Sequence, residues 1–170
     1  MADQYVPVTV TIEGARLIFR NLSGKVDKWN PSGERSFGLV LTPELAQQMA
    51  TDGWNVKWID PRDEGDDATP WLPVKVNYEN RPPRVTAIMS KSGNKTLLTE
   101  DTVGEIDSFD LINVDVVIRA YDWHVNGKDG RKAYLQTMYA MVYEDDLMFK
   151  YRDTPRSTPE EPSGYPPELD

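Results

Sequence analysis

The sequence predicts an all-β domain with one short helix, an antiparallel Greek-key barrel with long loops and a disordered acidic tail. Short segments recur in which apolar and polar residues alternate, a single compact helix bears its own start and stop signals, and the first strand changes phase at a glycine. A glycine at a phase change marks a bulge or bend, the device that lets one strand serve two parts of a closed barrel. Among such barrels the oligonucleotide- and oligosaccharide-binding fold is the leading expectation. In its usual form the helix lies between the third and fourth strands, whereas here it follows the second.

From Tyr5 to Asn21, Val6, Val8, Val10 and Ile12 share one face, and Thr9, Thr11 and Glu13 the other. Beyond Gly14 the apolar set becomes Ala15, Leu17 and Phe19, with Arg16 and Arg20 opposite. One bent strand or two separate strands satisfy this pattern. After a polar stretch, Phe37, Leu39 and Leu41 alternate as the second arm of a long-looped hairpin. Thr42-Pro43-Glu44 opens a helix with a hydroxyl cap, a proline at the first position and an acid in the first turn; Asp52-Gly53 closes it, and Leu45 and Met49 face inward.

Trp54, Val56 and Trp58 alternate as a third strand, with both indoles read as core. Leu72, Val74, Val76 and Tyr78 form a fourth, which Pro73 should confine to an edge or to its own start. Arg84 to Ser90 reads as a strand, SKSGNKT as loop, and the carboxylate-rich stretch from Thr99 to Asp115 as irregular or a short helix. The last hairpin is the clearest: Ile112, Val114, Val116, Ile118 and Ala120 fall on one face, and Asn113, Asp115, Arg119, Tyr121 and Trp123 on the other. Asn126-Gly127 and Asp129-Gly130 supply turn signals before the chain returns from Ala133 to Tyr143. The expected domain is 1–151. Residues 152–170 hold five of the 13 prolines and no periodic apolar face, and should form the tail.

A chain of 170 residues suffices for one domain, burying roughly 70% of the surface its unfolded form exposes. No apolar run is long enough to span a membrane and no signal peptide is recognisable, so a cytoplasmic protein is expected. With 0 cysteines and 1 histidine, thiolate catalysis, cysteine-based zinc sites and multi-histidine metal sites are excluded, and no cofactor is implied. The net charge of −9 would argue against a polyanionic partner, but the charge is unevenly spread. Cations gather in three clusters, each with aromatics alongside: Arg16, Arg20, Lys25, Lys28 and Arg35; Lys75, Arg81, Arg84, Lys91 and Lys95; and Arg119, Lys128, Arg131 and Lys132.

Catalytic constellations fare poorly. His124 has no cysteine nucleophile to activate, and reads as a surface or hydrogen-bonding histidine. The SGNKT stretch lacks the spacing of a phosphate loop, and the DEGDD run that of a calcium loop. Glu100, Asp101, Glu105 and Asp107 could chelate Mg²⁺ as in a nuclease, although solvated acidic loops are commoner. Phe19 and Phe37 read as core. Trp29, Tyr121, Trp123 and Tyr134 lie among cations, where burial would strand charged neighbours, and are the candidate stacking platforms. Rings and cations together suit single-stranded nucleic acid, whose bases stack and whose phosphates need neutralising. The one helix carries no Lys or Arg, so duplex reading by a recognition helix is not expected. A solvated sheet face bearing surface ion pairs accounts for the basic clusters about equally well.

The stretches GARLIFRNLSGKVDKWNPSGERSFGLVL, DGWNVKW, VKVNYENRPPRV and VDVVIRAYDWHVNGKDGRKAYLQTMY resemble a family of phage-encoded single-stranded DNA-binding proteins, in order from Ile12 to Tyr139. The resemblance implies an oligonucleotide-binding barrel that coats ssDNA in phage replication or recombination, without sequence preference and without catalysis. It points to Arg16, Arg20 and Arg35, to Tyr78, Arg81 and Arg84, and to Arg119, Tyr121, Trp123 and Lys132. With Lys28, Trp29, Lys128, Arg131 and Tyr134 from the pattern, these are the expected DNA-binding residues. The resemblance also gives the tail a role, with Glu160, Glu161, Glu168 and Asp170 docking replication or recombination partners and competing with DNA for the basic groove. PELD lacks a final aromatic, so docking on the partners of bacterial tails is not implied. The rival expectations are a Mg²⁺-dependent nuclease and a protein-interaction barrel with no nucleic-acid affinity.

Overall fold

The computed structural model describes residues 8–145 together with 147 and 150. The first residues of the predicted opening strand and the whole predicted tail, with Glu160, Glu161, Glu168 and Asp170, lie outside the described residues. The strands are β1 (Thr9–Ile12), β2 (Arg16–Asn21), β3 (Arg35–Val40), β4 (Lys57–Ile59), β5 (Thr69–Val76), β6 (Arg84–Met89), β7 (Lys95–Leu98), β8 (Leu111–Val125) and β9 (Lys128–Val142). The helix α1 (Pro43–Thr51) follows β3, and a 3-10 helix spans Val103–Asp107. The all-β expectation with one short helix therefore holds.

Hydrogen bonding orders the main path of the sheet β1-β8-β9-β5-β3-β2, with β4 on β5 and the β6–β7 hairpin on β9. Among the described residues no ladder joins β1 to β2, so the sheet is not closed by pairing. Those two strands are nonetheless successive in the chain, bent apart at Gly14, whose φ of 62° suits glycine. β1 pairs with β8 and β2 with β3, so the phase change at Gly14 marks where the chain leaves one end of the sheet for the other. The wholly antiparallel expectation is corrected: β9 runs parallel to both β5 and β6. Alternation reports which face a residue occupies, not the direction of its neighbour, so these pairings left no local signal.

One face of the sheet folds around the core, where Phe37, Leu39, Leu72, Val74, Ile118, Ala133, Leu135 and Met138 are buried. Met49 and Ala46 of α1 join them, and Thr42 Oγ1 accepts a hydrogen bond from Leu45 N (3.2 Å) as the helix cap. The far end is shut by the 3-10 segment. The Asp107 carboxylate accepts from Leu22 N (2.7 Å) and Ser23 N (3.1 Å), while Arg20 donates to the carbonyls of Ile106 (2.8 Å) and Phe109 (2.9 Å).

Several local expectations are corrected. Lys95–Leu98, partly read as loop, is a strand pairing with β6. Trp54 is buried, but Trp58 lies on the short, exposed β4 and is 48% exposed. Pro73 sits in an interior strand because its position falls where the β4 ladder has ended at Trp71 and the β9 ladder has yet to begin at Val74. Ile112 faces solvent, since a register shift between Leu111 and Asn113 turns it away from the buried face. Phe19 is no core residue. It has φ 51° at the irregularity between Ile18 and Asn21, and its ring is 63% exposed.

Candidate nucleic-acid interface

The β8–β9 hairpin is two 15-residue strands joined at Asn126 (φ 52°) and Gly127 (φ 78°), the left-handed pair of a tight primed turn. Asp129-Gly130 is not a second turn but the start of β9, with Asp129 opposite His124 and Gly130 opposite Trp123. His124 Nδ1 contacts the Asp129 carboxylate at this exposed tip. Strand alternation then sorts the motif residues. Ala120 and Ala133 point to the core, while Arg119, Tyr121, Trp123, Gly130, Lys132 and Tyr134 share the outer face.

That outer face is continuous across the sheet. Register sets Ser36 against Lys75, Lys75 against Tyr134, Tyr134 against Arg119 and Arg119 against Thr9, a row crossing five strands. Arg84 lies on the adjoining row, opposite Thr137, which is opposite Val117. Tyr121 and Tyr134 lean together with ring centroids 5.9 Å apart, and the Arg119 guanidinium sits 5.4 Å from the Tyr134 ring. Asn77, Asn80, Arg81, Arg119, Tyr121 and Tyr134 line one cleft, so the second and third basic clusters, distant in sequence, meet here. A neighbouring cleft continues past Tyr134 and Lys132 to Lys75. There Lys75 Nζ donates to Glu34 Oε1 at 2.6 Å, and this contact holds the Glu34 carboxyl below its ordinary range.

The remaining predicted residues divide. Arg16 is exposed at the head of β2; Lys28 and Trp29 occupy the β2–β3 loop, with the ammonium 4.9 Å from an indole that is 83% exposed. Lys128 is exposed beside the hairpin turn. Four others make contacts within the fold; of these, Arg35 and Tyr78 also line the cleft of Lys75, Lys132 and Tyr134, and Arg20 lines the groove of Phe19 and Trp71. Arg20 ties down the 3-10 segment as described. Arg35 lies on the inner-face side of β3 beyond Phe37, donating to Leu22 O (3.0 Å) and Glu100 O (3.3 Å), with its guanidinium 5.7 Å from the Tyr78 ring. Tyr78 itself is half-buried against the core; burial pushes its phenol pKa up, and its hydroxyl has no hydrogen-bond partner among the described residues. Arg131 is on the core side of the hairpin, 5.5 Å from the Trp54 ring, and donates twice to Asp122 (2.7 and 3.2 Å), which lowers the Asp122 pKa.

Two aromatics on the outer face carry weaker signals in the sequence. Trp71 alternates with Pro73 and Lys75, a pattern readable from the polar side of WLPVK rather than its apolar one. Phe19 has no such signal, because its outward turn depends on a left-handed residue at a bulge. Of the acidic set read as a possible Mg²⁺ site, Asp107 is occupied with backbone amides and Glu100 lies 3.7 Å from Arg35. Among the described residues, no three His, Asp or Glu side chains converge as a metal cluster, and no helix is long and apolar enough to cross a membrane.

Residues 2–161 match the phage ssDNA-binding domain family. The chain belongs to that family. No curated protein sequence matches it. Among solved structures, this phage ssDNA-binding domain is similar in fold to the single-stranded DNA-binding protein of bacteriophage Enc34 in complex with ssDNA (11% identity, TM-score 0.51, covering 85% of this chain and 98% of that one). Weaker likenesses are to another structure of the Enc34 protein (12%, TM-score 0.49, 89% of each chain). A further one is gp2.5, a single-stranded DNA-binding protein encoded by bacteriophage T7 (14%, TM-score 0.41, 93% of this chain and 100% of that one). The family match agrees with the resemblance carried by the sequence blocks.

Proposed function

We propose that the domain coats single-stranded DNA without reading its sequence and without catalysing a reaction, in phage DNA replication or recombination in the cytoplasm of the infected host. The observation that carries this is the outer-face cleft in which Arg81, Arg119, Tyr121 and Tyr134 converge from separate stretches of the chain. Rings stack on any base, and the cations of the same surface neutralise phosphates: Arg81, Arg84, Arg119, Lys132, Lys128 and Arg16. Trp123 and, on its loop, Trp29 extend the aromatic surface. Arg20, Arg35 and Arg131 position these elements, given the contacts each already makes. Residues 152–170 act as an acidic tail whose Glu160, Glu161, Glu168 and Asp170 compete with DNA for this face and dock partner proteins.

Titration with poly-dT, followed by tryptophan fluorescence, tests the reading. Quenching that weakens steeply as salt rises is expected, with on the order of 4 to 16 nucleotides covered per domain. No salt-sensitive quenching at micromolar protein would overturn it. Mg²⁺-dependent cleavage of the strand in the same mixture would favour the nuclease instead.

A further inference from the structure

We propose that Phe19 and Trp71 form a second base-stacking subsite, which takes an unpaired nucleobase of the same strand whose other bases rest on Tyr121 and Tyr134. The inference rests on the ssDNA-binding reading above and adds to it a site at the opposite side of the sheet face.

Phe19 is the first ground. Alternation alone would bury its ring with Leu17, yet the backbone takes φ 51°, a conformation that a side chain disfavours, and the ring is 63% exposed. An apolar ring held in water by a disfavoured backbone contributes little to the core, and such outliers gather where ligands bind. Trp71 is the second ground. Its indole lies across Gly38 of the neighbouring strand, where an added Cβ would stand 2.7 Å from Cε3 and 2.9 Å from the Ile18 side chain. The interior glycine thus seats the ring. Phe19 meets Trp71 edge to face, with centroids 5.0 Å apart and planes at 67°, so the two rings brace one another while Phe19 stays open to solvent.

Continuity with the interface is the third ground. Ile18 pairs with Gly38 and Gly38 with Pro73, one row along the outer face from Ser36 and Lys75, which lead to Tyr134 and Arg119. From strand spacings, Trp71 and Tyr134 are roughly 14 Å apart between Cα atoms, with the floor of Gly38, Pro73 and Lys75 between them. The groove holding Phe19 and Trp71 is also lined by Arg20, Lys25 and Trp29, and by Asp27 and Asp107, whose carboxylates accept from the backbone amides of Trp29 and of Leu22 and Ser23. It therefore offers an aromatic surface with a cation at its rim, the chemistry of a stacked base and its phosphate rather than of an apolar peptide.

The test uses the full chain and dT oligomers of about 16 nucleotides, long enough to reach both stations. Phe19→Ala should weaken binding about 5- to 150-fold, the range for one base that no longer stacks. Its salt dependence should keep the wild-type slope, because every phosphate keeps its cation. Phe19→Tyr should bind like wild type, and Phe19→Leu, which keeps apolar bulk without a π-face, should lose affinity as Phe19→Ala does. That pair of variants decides the matter even if Phe19→Ala fails to fold. Wild-type affinity in Phe19→Leu, with Tyr121→Ala impaired, overturns this subsite and leaves the ssDNA-binding reading standing. A wild-type protein that does not bind overturns both.

Discussion

The indole of Trp123 lies across Gly130 on the paired strand, so closely that any Cβ at Gly130 would overlap its Cζ2, Cε2 and Nε1 atoms. This explains one of the two glycines in the basic aromatic stretch 119–134. Gly127 makes the turn, whereas Gly130 makes room for a ring. The outer face repeats the device at Gly38 and Trp71.

Gly130→Ala should therefore cost about 1–3 kcal/mol of stability, the usual range for overpacking, and displace Trp123. Denaturant midpoints and near-UV circular dichroism measure the two effects. An unchanged midpoint with an unchanged aromatic spectrum would contradict the seat.

Tyr121 is 47% exposed and its ring leans on Tyr134 across the hairpin, so Tyr121→Ala should cost only about 0.2–1 kcal/mol of stability. The same change should weaken ssDNA binding by about 1–3 kcal/mol. Fluorescence titration beside thermal unfolding checks both. Loss of stability without loss of affinity would make the tyrosine structural.

Arg119 and Arg131 should behave oppositely. Arg119→Ala removes a cation from the outer face, so the slope of log K against log salt should fall by about 0.7 for each phosphate that the guanidinium neutralises. Arg131→Ala breaks the contacts to Asp122 and Trp54 and should lower the unfolding midpoint while leaving that slope unchanged. Binding measured across a salt series, beside thermal melts, separates them.

Acid should weaken the fold slightly through Glu34 and Asp122. Both carboxyls have folded pKa values lowered by hydrogen bonds from a cation, Lys75 and Arg131 respectively. Their contribution is thus fully present above the unfolded values near pH 4 and is lost as pH falls through the lower folded values. Both are largely exposed, so the effect is small, and the double change Glu34→Gln, Asp122→Asn should flatten the acid limb of the stability curve. Glu34→Gln alone also frees Lys75, and should tighten ssDNA binding about 2- to 5-fold at low salt.

Removing Arg152 to Asp170 should tighten ssDNA binding at low ionic strength if the tail acids occupy the basic face. Competition titrations with the intact and shortened chains measure this. Equal affinities would remove the tail mechanism and leave the interface as it is.

Much of this protein is readable from local pattern. The strand content, the capped helix, the bend at Gly14, the Asn126-Gly127 turn and the outward set Arg119, Tyr121 and Trp123 all follow from alternation and turn chemistry, which act over a few residues. Family membership too is visible in the quoted blocks. Tertiary structure alone decided which basic residues meet. Arg81 joins Arg119 only because β9 runs beside β5 and its partner β8 carries Arg119 across, pairings between segments far apart in sequence. It also decided which acceptors Arg20, Arg35 and Arg131 meet, since those acceptors lie on elements far away or on a paired strand. Phe19 shows the limit most plainly. A period-two pattern assumes an unbroken strand, and one left-handed residue at a bulge turns a predicted core ring out to the surface.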